Sequence, residues 1–403
     1  MDGCRVSYFE KNAIISGLGI SRIGRRTGIP GAELTLEAAR AAIEDAGLTP
    51  GDIDGIGTLG DTPPGDVVDA LGIQATDQTL GFDTGGVLLP VMSACRAVAE
   101  ERARHVLVYR TVAMLGGAMT NQPASPMLNP LASPPIEPRM PGTRRKLKPF
   151  EDIDELVAAH SYSAANWLAM HCRRHMELYG TTKEQLGWLA INSRRNAGLN
   201  PRAAFRDPMT MGDYLAARPV STPFGLFDCD VPIDGSIALV VSHADYAADC
   251  PGRPVAVEAI GGAYGSGGWF HRDDFPKMAS CEAASEMWSR TDLRPSDVDV
   301  AELYDGFTFN CLSWIEALGF CGIGEAKDFL DGGKAIARDG VIPLNTHGGQ
   351  LSHGRTHGMG LIHEAVTQLR GEAGERQVKD ARVAVVSSGG LTPSGAILLR
   401  TDA

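Results

Sequence analysis

Residues 46–59 read AGLTPGDIDGIGTL, and residues 291–304 read TDLRPSDVDVAELY. The two segments align without a gap through one proline and two aspartates. The matched pairs are Pro50 and Pro295, Asp52 and Asp297, and Asp54 and Asp299. In each copy an alanine-rich helix pattern precedes the turn and an apolar strand pattern follows it. We therefore predict that the chain contains a duplicated α/β unit.

A second pair of segments supports the duplication. Residues 92–111 and residues 362–388 each run from a helix pattern into a β-branched strand. The strand patterns are continuously apolar, as in a buried mixed or parallel sheet. Between the halves lies a proline-dense stretch followed by two amphipathic helix patterns. The predicted division is an N-terminal half at 1–118 and 223–250, an inserted loop domain at 119–222, and a C-terminal half at 251–403.

Composition excludes several classes of protein. The chain has 403 residues, 43% of them apolar, and a formal net charge of -12, which disfavours nucleic-acid binding. No apolar run is long enough for a membrane span or a signal peptide, so we expect a cytoplasmic protein. The eight cysteines lack CxxC spacing, which argues against a metal site in this chain. Basic residues cluster between Arg139 and Lys148, either as a phosphate-binding loop or as a solvated loop.

Three strand patterns end in glycine turns that carry polar groups. The first ends at Tyr304-Asp305-Gly306-Phe307 and the second at Ser387-Ser388-Gly389-Gly390. The third segment, Leu344–Gly360, reads LNTHGGQLSHGRTHGMG and contains His347, His353 and His357. It is too glycine-rich for a helix and too polar for a core strand, and histidine suits proton transfer near neutral pH. A catalytic loop is the favoured interpretation, and a surface turn with incidental histidines is the alternative.

In combination, these motifs and the DCDVPIDGSIALVVS segment before residue 243 resemble the thiolase superfamily. The resemblance spans essentially the whole chain. It implies an α/β thiolase fold of two βαβαβαββ halves in an αβαβα layered arrangement, with an inserted loop domain. The chain is similar to the lipid-transfer-protein and sterol-carrier-protein thiolase-like branch, some of whose members are steroid side-chain aldolases.

The chain departs from the thiolase pattern where a thiolase needs its reactive groups. Thr84 falls near the place of the nucleophilic cysteine, and Ser387 falls on the second cysteine. Arg355 falls on the loop histidine, and Tyr304 on the remaining asparagine or histidine. Cys95 is predicted to be a core residue. An unactivated hydroxyl is a far weaker nucleophile than a thiol, so thiolysis is not expected.

The resemblance implies which groups remain for chemistry. Tyr304 is the first candidate acid or base, followed by His347 and His357 and then His353, although each histidine is almost as readily explained by packing. Backbone N–H groups in two glycine turns are expected to stabilise a thioester enolate. The proposed oxyanion and substrate-binding residues are Thr84, Gly85, Gly86, Arg355, Gly389 and Gly390.

The expected reaction is a retro-aldol cleavage of a β-hydroxyacyl-CoA, such as a 17-hydroxy steroid with a C20-carboxyl-CoA side chain, to a ketone and propionyl-CoA. Two alternatives stay open: a thiolase that uses Cys311 or Cys321, and a non-catalytic acyl-CoA or lipid binder. CoA enters as part of the substrate, and no cofactor is expected in this chain. The family implies a homodimer that joins a small OB-fold, zinc-binding partner in a heterotetramer.

Overall fold

The computed structural model describes residues 8–59, 61–74, 80–83, 88–113, 153–161, 163–263, 270, 272–391 and 393–401. The predicted residues Thr84, Gly85 and Gly86 and the basic segment from Arg139 to Lys148 lie outside these ranges. The division into domains at residues 118, 222 and 250 stays a prediction.

The strands are β1 (Ala13–Ile20), β2 (Gly55–Thr58), β3 (Leu80–Asp83), β4 (His105–Ala113), β5 (Pro219–Ser221), β6 (Phe224–Gly225), β7 (Asp234–His243), β8 (Val255–Ala263), β9 (Val300–Glu302), β10 (Val383–Gly389) and β11 (Ser394–Arg400). The helices are α1 (Gly31–Asp45), α2 (Pro64–Leu71), α3 (Leu89–Ala99), α4 (Ile153–Ala158), α5 (Ala164–Tyr179), α6 (Lys183–Gly198), α7 (Met211–Leu215), α8 (Ser280–Trp288), α9 (Thr308–Ala317), α10 (Ala326–Phe329) and α11 (Met359–Arg370).

Within the described residues, all strands except β5 and β6 form one sheet in the order β3-β2-β4-β7-β1-β8-β11-β10-β9. Antiparallel pairing of β1 with β8 joins the halves. Outward from this junction, the N-terminal half runs β1-β7-β4-β2-β3 and the C-terminal half runs β8-β11-β10-β9. Ala301 of β9 then bridges Leu344 in parallel, in the place that corresponds to β3. The same order on both sides confirms the predicted duplication.

The repeated aspartates explain why the two segments share a sequence. Asp52 and Asp297 each accept a hydrogen bond of 2.8 Å from the backbone N–H three residues earlier, which closes a short 3-10 turn. Asp54 and Asp299 each accept from two consecutive backbone N–H groups at the start of a neighbouring strand, β4 or β10. In each repeat, the first aspartate therefore fixes the helix-to-strand turn and the second fixes the register of the neighbouring strand.

Helices cover the sheet in layers. α1 and α2 pack on the outer face of the N-terminal half, and α8 and α9 pack on the outer face of the C-terminal half. α3 and α11 share a core with strands of both halves and lie between them. This is the predicted αβαβα arrangement of the thiolase fold.

The helices that follow the proline-dense stretch pack on the C-terminal half. Leu186 and Leu189 of α6 and Tyr214 of α7 lie in the same core as Trp314 of α9 and Met287 of α8. The segment between β4 and β7 therefore reaches from one half of the molecule to the other. Among the described residues, no helix has the length and apolar character needed to cross a membrane.

Candidate active site

The segment after Leu344 is held by asparagine side chains. Asn345, at a φ of 48°, exchanges two hydrogen bonds with the backbone of Leu303, at 2.7 and 2.9 Å. From α6, Asn192 and Asn196 donate to the Leu344 carbonyl at 3.0 and 2.9 Å. Just beyond that helix, Asn200 donates to the His347 carbonyl at 2.9 Å. These side chains stand four residues apart, so they line one face of a helix and its extension.

The prediction that Leu344–Gly360 contains no helix is wrong. Residues Gly349–His353 form a short π-helix, and Met359 begins α11. Gly348 precedes this turn and Gly349 begins it, both at positive φ. Asp305 accepts the backbone N–H groups of Gln350 and Leu351 at 2.8 and 3.4 Å. Side chains outside Leu344–Gly360 therefore supply hydrogen bonds to the backbone of this segment. π-Turns of this kind are frequent at functional sites.

Tyr304 lies where β9 ends. Its backbone N–H donates to Ser387 Oγ at 3.0 Å, which joins the ends of β9 and β10. The ring folds over Gly306, since a Cβ on that glycine would lie 3.3 Å from the tyrosine hydroxyl oxygen. Burial, and then the charge of Asp230, raises the pKa of Tyr304 well above its ordinary value. The hydroxyl is therefore protonated at neutral pH and requires a neighbouring acceptor to release its proton.

Asp230 is a candidate that the sequence analysis did not single out. Its backbone N–H donates to the Gly306 carbonyl at 3.0 Å, so Asp230 and the Tyr304 ring meet at the same glycine. Its carboxylate pairs with the Arg355 guanidinium at 3.3 Å. Burial raises the pKa of Asp230 to about 6, and the charge of Arg355 offsets part of that effect. Asp230 is thus a buried carboxyl group whose pKa lies near neutrality and whose charge acts on Tyr304.

His347 forms a buried pair with Glu302. Its Nδ1 lies 3.1 Å from Glu302 Oε2. Burial disfavours the imidazolium, but the hydrogen bond and the charge of Glu302 outweigh burial and raise the pKa of His347. His353 packs edge-on against His347, with ring centroids 4.9 Å apart. Burial lowers the pKa of His353 far below its ordinary value, which favours packing over proton transfer for this residue.

His357 contacts the N-terminal half. Its Nδ1 accepts from Arg110 Nη2 at 2.8 Å, and Arg110 in turn pairs with Asp61. The His357 backbone N–H donates to Gln350 Oε1 at 2.9 Å. Burial and the charges of Arg110 and Arg355 hold the pKa of His357 well below its ordinary value.

The end of β10 lies beside this loop. Gly389 and Gly390 have φ values of 78° and 153°, and Gly389 still pairs with Ser394. Ser388 Oγ is buried, has no hydrogen-bond partner among the described residues, and would lie 2.7 Å from a Cβ on Gly358. The structure therefore gathers the predicted groups Tyr304, His347, His353, His357, Arg355, Gly389 and Gly390 around the ends of β9 and β10.

The described cysteines are poorly placed to form thiolates. Cys95 is buried on α3, as predicted, and burial raises its pKa to about 12. Burial also raises the pKa of Cys311, which is 1% exposed, and raises that of Cys321 to about 12. Within the described ranges, no group of three or more His, Cys, Asp and Glu side chains is arranged to hold a metal ion.

Comparison with known proteins agrees with the fold. Residues 261–399 match the family model described as thiolase C-terminal domain-like. The chain is 32% identical to the 17-hydroxy-3-oxo-4-pregnene-20-carboxyl-CoA lyase of Mycobacterium tuberculosis, over 96% of this chain and 98% of that protein. It is 33% identical to the steroid side-chain-cleaving aldolase of Thermomonospora curvata, over 98% of this chain and 99% of that protein. The chain belongs to the thiolase superfamily.

This thiolase-superfamily member is also similar to a solved structure along its full length. The Ltp2-ChsH2(DUF35) aldolase superposes with a TM-score of 0.85 at 30% identity, covering 98% of this chain and 99% of that one. Full-length similarity to proteins named lyase and aldolase makes this member of the thiolase superfamily a carbon–carbon lyase.

Several groups that contact the predicted residues of this thiolase-superfamily site were not predicted from the sequence. Glu302 lies in a strand pattern and Arg110 in an apolar strand, where neither breaks the local pattern. Asp230 stands in the DCDVPID segment, which was used only to recognise the fold. The four-residue spacing of Asn192, Asn196 and Asn200 was a usable signal, because polar amides on a helix face otherwise turned to the core need partners.

Proposed function

We propose that the chain is a retro-aldolase that cleaves a steroid β-hydroxyacyl-CoA, with a 17-hydroxy C20-carboxyl-CoA side chain as the substrate class. The names of the two full-length relatives support this substrate. The observation that carries the chemistry is Tyr304, an acid–base group set beside the ionisable Asp230–Arg355 pair at a strand end. Such a site moves protons without forming an acyl-enzyme.

The reaction needs one proton removed and one returned. Loss of the proton from the 17-hydroxyl forms the C17 ketone, the C17–C20 bond breaks, and its electron pair passes into the thioester enolate. Protonation of C20 then gives propionyl-CoA. No oxidant, reductant or free CoA enters the balance.

Each step has a candidate group in this chain. Tyr304 takes the hydroxyl proton while Asp230 accepts the proton of Tyr304, because a neutral tyrosine cannot act as a base without such an acceptor. His347, whose pKa the hydrogen bond and charge of Glu302 raise, is the candidate that returns a proton to C20. Arg355 keeps Asp230 ionised. The backbone N–H groups of Thr84, Gly85 and Gly86 and of the turn at Gly389–Gly390 are proposed to donate hydrogen bonds to the enolate oxygen.

A partner chain forms part of this proposal. The similar solved structure is a complex with a DUF35 protein, and we propose that this chain also binds such a partner, of OB fold and with zinc in the partner. A homodimer of this chain would form the centre of the assembly.

The test is product analysis by mass spectrometry with the chain alone and with a co-expressed DUF35 partner. The substrate is a 17-hydroxy steroid carrying the C20-carboxyl-CoA side chain. A 17-ketosteroid and propionyl-CoA, formed without added CoA, are the expected products. Cleavage of a β-ketoacyl-CoA only when free CoA is added would instead establish a thiolase and overturn the proposal.

Two variants separate the tyrosine chemistry from general damage. Tyr304→Phe should lower kcat by roughly a hundredfold or more while leaving acyl-CoA binding unchanged. Tyr246→Phe is the matched control, because that hydroxyl donates to the Ala46 carbonyl at 3.0 Å in the N-terminal half. Full activity in Tyr304→Phe would remove Tyr304 from the mechanism. Iodoacetamide should leave turnover unchanged, whereas acyl-CoA-protected inactivation would favour a cysteine nucleophile.

A further inference from the structure

Arg110 connects the N-terminal half to the catalytic loop. It lies in β4, and its Nη2 and Nε lie 2.8 and 3.1 Å from His357 Nδ1. On its other side, Nη1 pairs with Asp61 and donates to the Leu59 carbonyl at 3.2 Å. Asp61 also accepts the backbone N–H of Thr111 at 3.0 Å. The Arg110 side chain is 12% exposed and that of Asp61 is 7% exposed, so water competes little for these contacts.

This arrangement fixes the proton on the imidazole. The arginine guanidinium stays protonated in proteins and has donors only. His357 Nδ1 must therefore present its lone pair, and the single ring proton must sit on Nε2. Protonating Nδ1 would break both contacts and set a second cation against Arg110. The charged groups that face His357 are Arg110, with Asp61 behind it, and Arg355 of its own loop.

We propose that Asp61 and Arg110 are positioning residues that lock His357 as a neutral Nε2–H donor to the thioester oxygen of the acyl-CoA substrate. The identification of the ligand as an acyl-CoA thioester rests on the proposed function, whereas the assignment of the His357 tautomer is independent of it. His357 sits between two parts of the site. Arg355, two residues before it, pairs with the Asp230 carboxylate, and Gly358, next to it, packs against Ser388 at the end of β10.

A neutral donor suits this task. An imidazolium would protonate the enolate, whereas a neutral Nε2–H stabilises the developing negative charge on oxygen and keeps its own proton. A histidine whose pKa is lowered so that the neutral ring polarises a carbonyl is an established catalytic arrangement. Under this proposal the two histidines have different roles: His347 transfers a proton and His357 does not.

The first experiment measures the tautomer directly in the full chain. Two-dimensional 15N–1H spectra of protein labelled with 15N-histidine distinguish protonated from unprotonated ring nitrogens, and His357→Gln identifies the signal by its loss. The expected result is an unprotonated Nδ1, a protonated Nε2 and no titration between pH 8 and pH 5. A proton on Nδ1, or ordinary titration in that range, would overturn the proposal. The protonation is read from the unmodified protein, and only the assignment of the signal depends on a folded His357→Gln variant.

A second measurement tests the positioning role. In Arg110→Met the signal of His357 should shift toward a mixture of tautomers and should titrate, and the acid limb of kcat/KM should move to higher pH. Arg110→Lys keeps the charge but cannot contact Nδ1 through two nitrogens, and Asp61→Asn removes the carboxylate that pairs with Arg110. The His357 signal and the pH profile of each variant should lie between those of Arg110→Met and of the unmodified protein. An unchanged His357 signal and pH profile in Arg110→Met would leave Arg110 a purely structural role and refute the assignment.

The donor role has its own comparison. His357→Ala should lower kcat by roughly a hundredfold, the usual effect of losing one oxyanion donor. His357→Gln supplies an amide N–H at a similar distance and should recover part of that loss. Equal activity of the two variants would exclude the donor role. If the tautomer is as expected but no steroid acyl-CoA is cleaved, the proposed function fails while the assignment of Arg110 stands.

Discussion

Asp305 shows how a single buried carboxyl group couples the site to pH. Its side chain is fully buried next to Tyr304, and burial raises the pKa of Asp305 to about 7. An unfolded aspartate titrates near 4. The folded protein therefore binds one more proton than the unfolded chain between about pH 4 and pH 7.

This gives a prediction for stability. The contribution of Asp305 is fully present below about pH 4 and is lost as pH rises through about 7, because the folded state disfavours the charged form. Asp305→Asn removes this titration. Between about pH 4 and pH 7, the free energy of unfolding of the unmodified chain should therefore fall by roughly 4 kcal/mol more than that of Asp305→Asn. Urea unfolding at pH 4.5 and pH 8 measures the difference, and equal pH dependence in both proteins would refute it.

Gly349 offers a steric prediction at the same place. A Cβ there would lie 2.0 Å from Asp305 Oδ2, and the backbone has a φ of 56°. Gly349→Ala should therefore lower the free energy of unfolding by roughly 3 kcal/mol or more, with loss of activity. Gly371→Ala is the control, since its φ is 79° but no atom of the described residues lies within 4 Å of the added Cβ. It should cost only about 1 kcal/mol, and equal costs at the two positions would contradict the steric argument.

The sequence identifies candidate catalytic residues better than it identifies the residues that contact them. Tyr304 and the three histidines could be chosen because their side chains move protons and follow glycine-rich strand ends. Arg110 could not, because its partner His357 is 247 positions away in the chain. The two tautomers of His357 are likewise indistinguishable until Arg110 is seen beside Nδ1.

Among the elements, α6 determines the shape of the catalytic loop. Asn196 donates to the carbonyls of Leu344 and Asn345 at 2.9 and 3.2 Å from a buried position. Asn196→Ala removes one donor from each carbonyl, while Asn192 still donates to Leu344 and the Gly348 N–H to Asn345. We therefore expect a loss of about 1 kcal/mol in the free energy of unfolding, the usual net value of a hydrogen bond, and a clear fall in kcat. Arg195→Ala, at an exposed position on the same helix, is the control and should change neither.

Urea unfolding and steady-state kinetics of the two variants make the comparison. Wild-type kinetics in Asn196→Ala would show that the loop keeps its shape without this contact. The regular helices and strands could be predicted because their apolar spacing is local. The π-turn could not, because its geometry depends on Asp305 and on the asparagines of a distant helix.

For the whole molecule, Arg370 joins the two halves. It ends α11, and its side chain is 1% exposed. The guanidinium donates to Asp45 at 2.7 Å, to the Ser16 carbonyl at 2.8 Å and to the Arg253 carbonyl at 3.0 Å. These partners lie in α1, in β1 and just before β8. One side chain therefore stabilises the junction at which the halves of the sheet meet.

Arg370→Met keeps much of the side-chain volume but removes every donor. We expect it to lower the free energy of unfolding by roughly 3 kcal/mol while unfolding stays a single transition. Arg382→Met, at an exposed position, should have little effect. Circular dichroism in urea measures both variants, and equal midpoints would refute the bridging role. The duplication and the fold class could be predicted from repeated motifs. The residues at the junction could not be predicted, because they belong to no repeated motif.

The core shared by α6, α8 and α9 has a consequence for how the protein is made. α6 ends at Gly198 and α7 packs on it soon afterwards in the chain, but α9, which packs on α6 as well, begins only at Thr308. On the ribosome, the apolar face that carries Leu186 and Leu189 is therefore synthesised well before Trp314 can cover it. The nascent chain must keep this face from aggregating while β7 and β8 emerge. Chaperone supply and translation speed across residues 199–308 should then govern the yield of active protein.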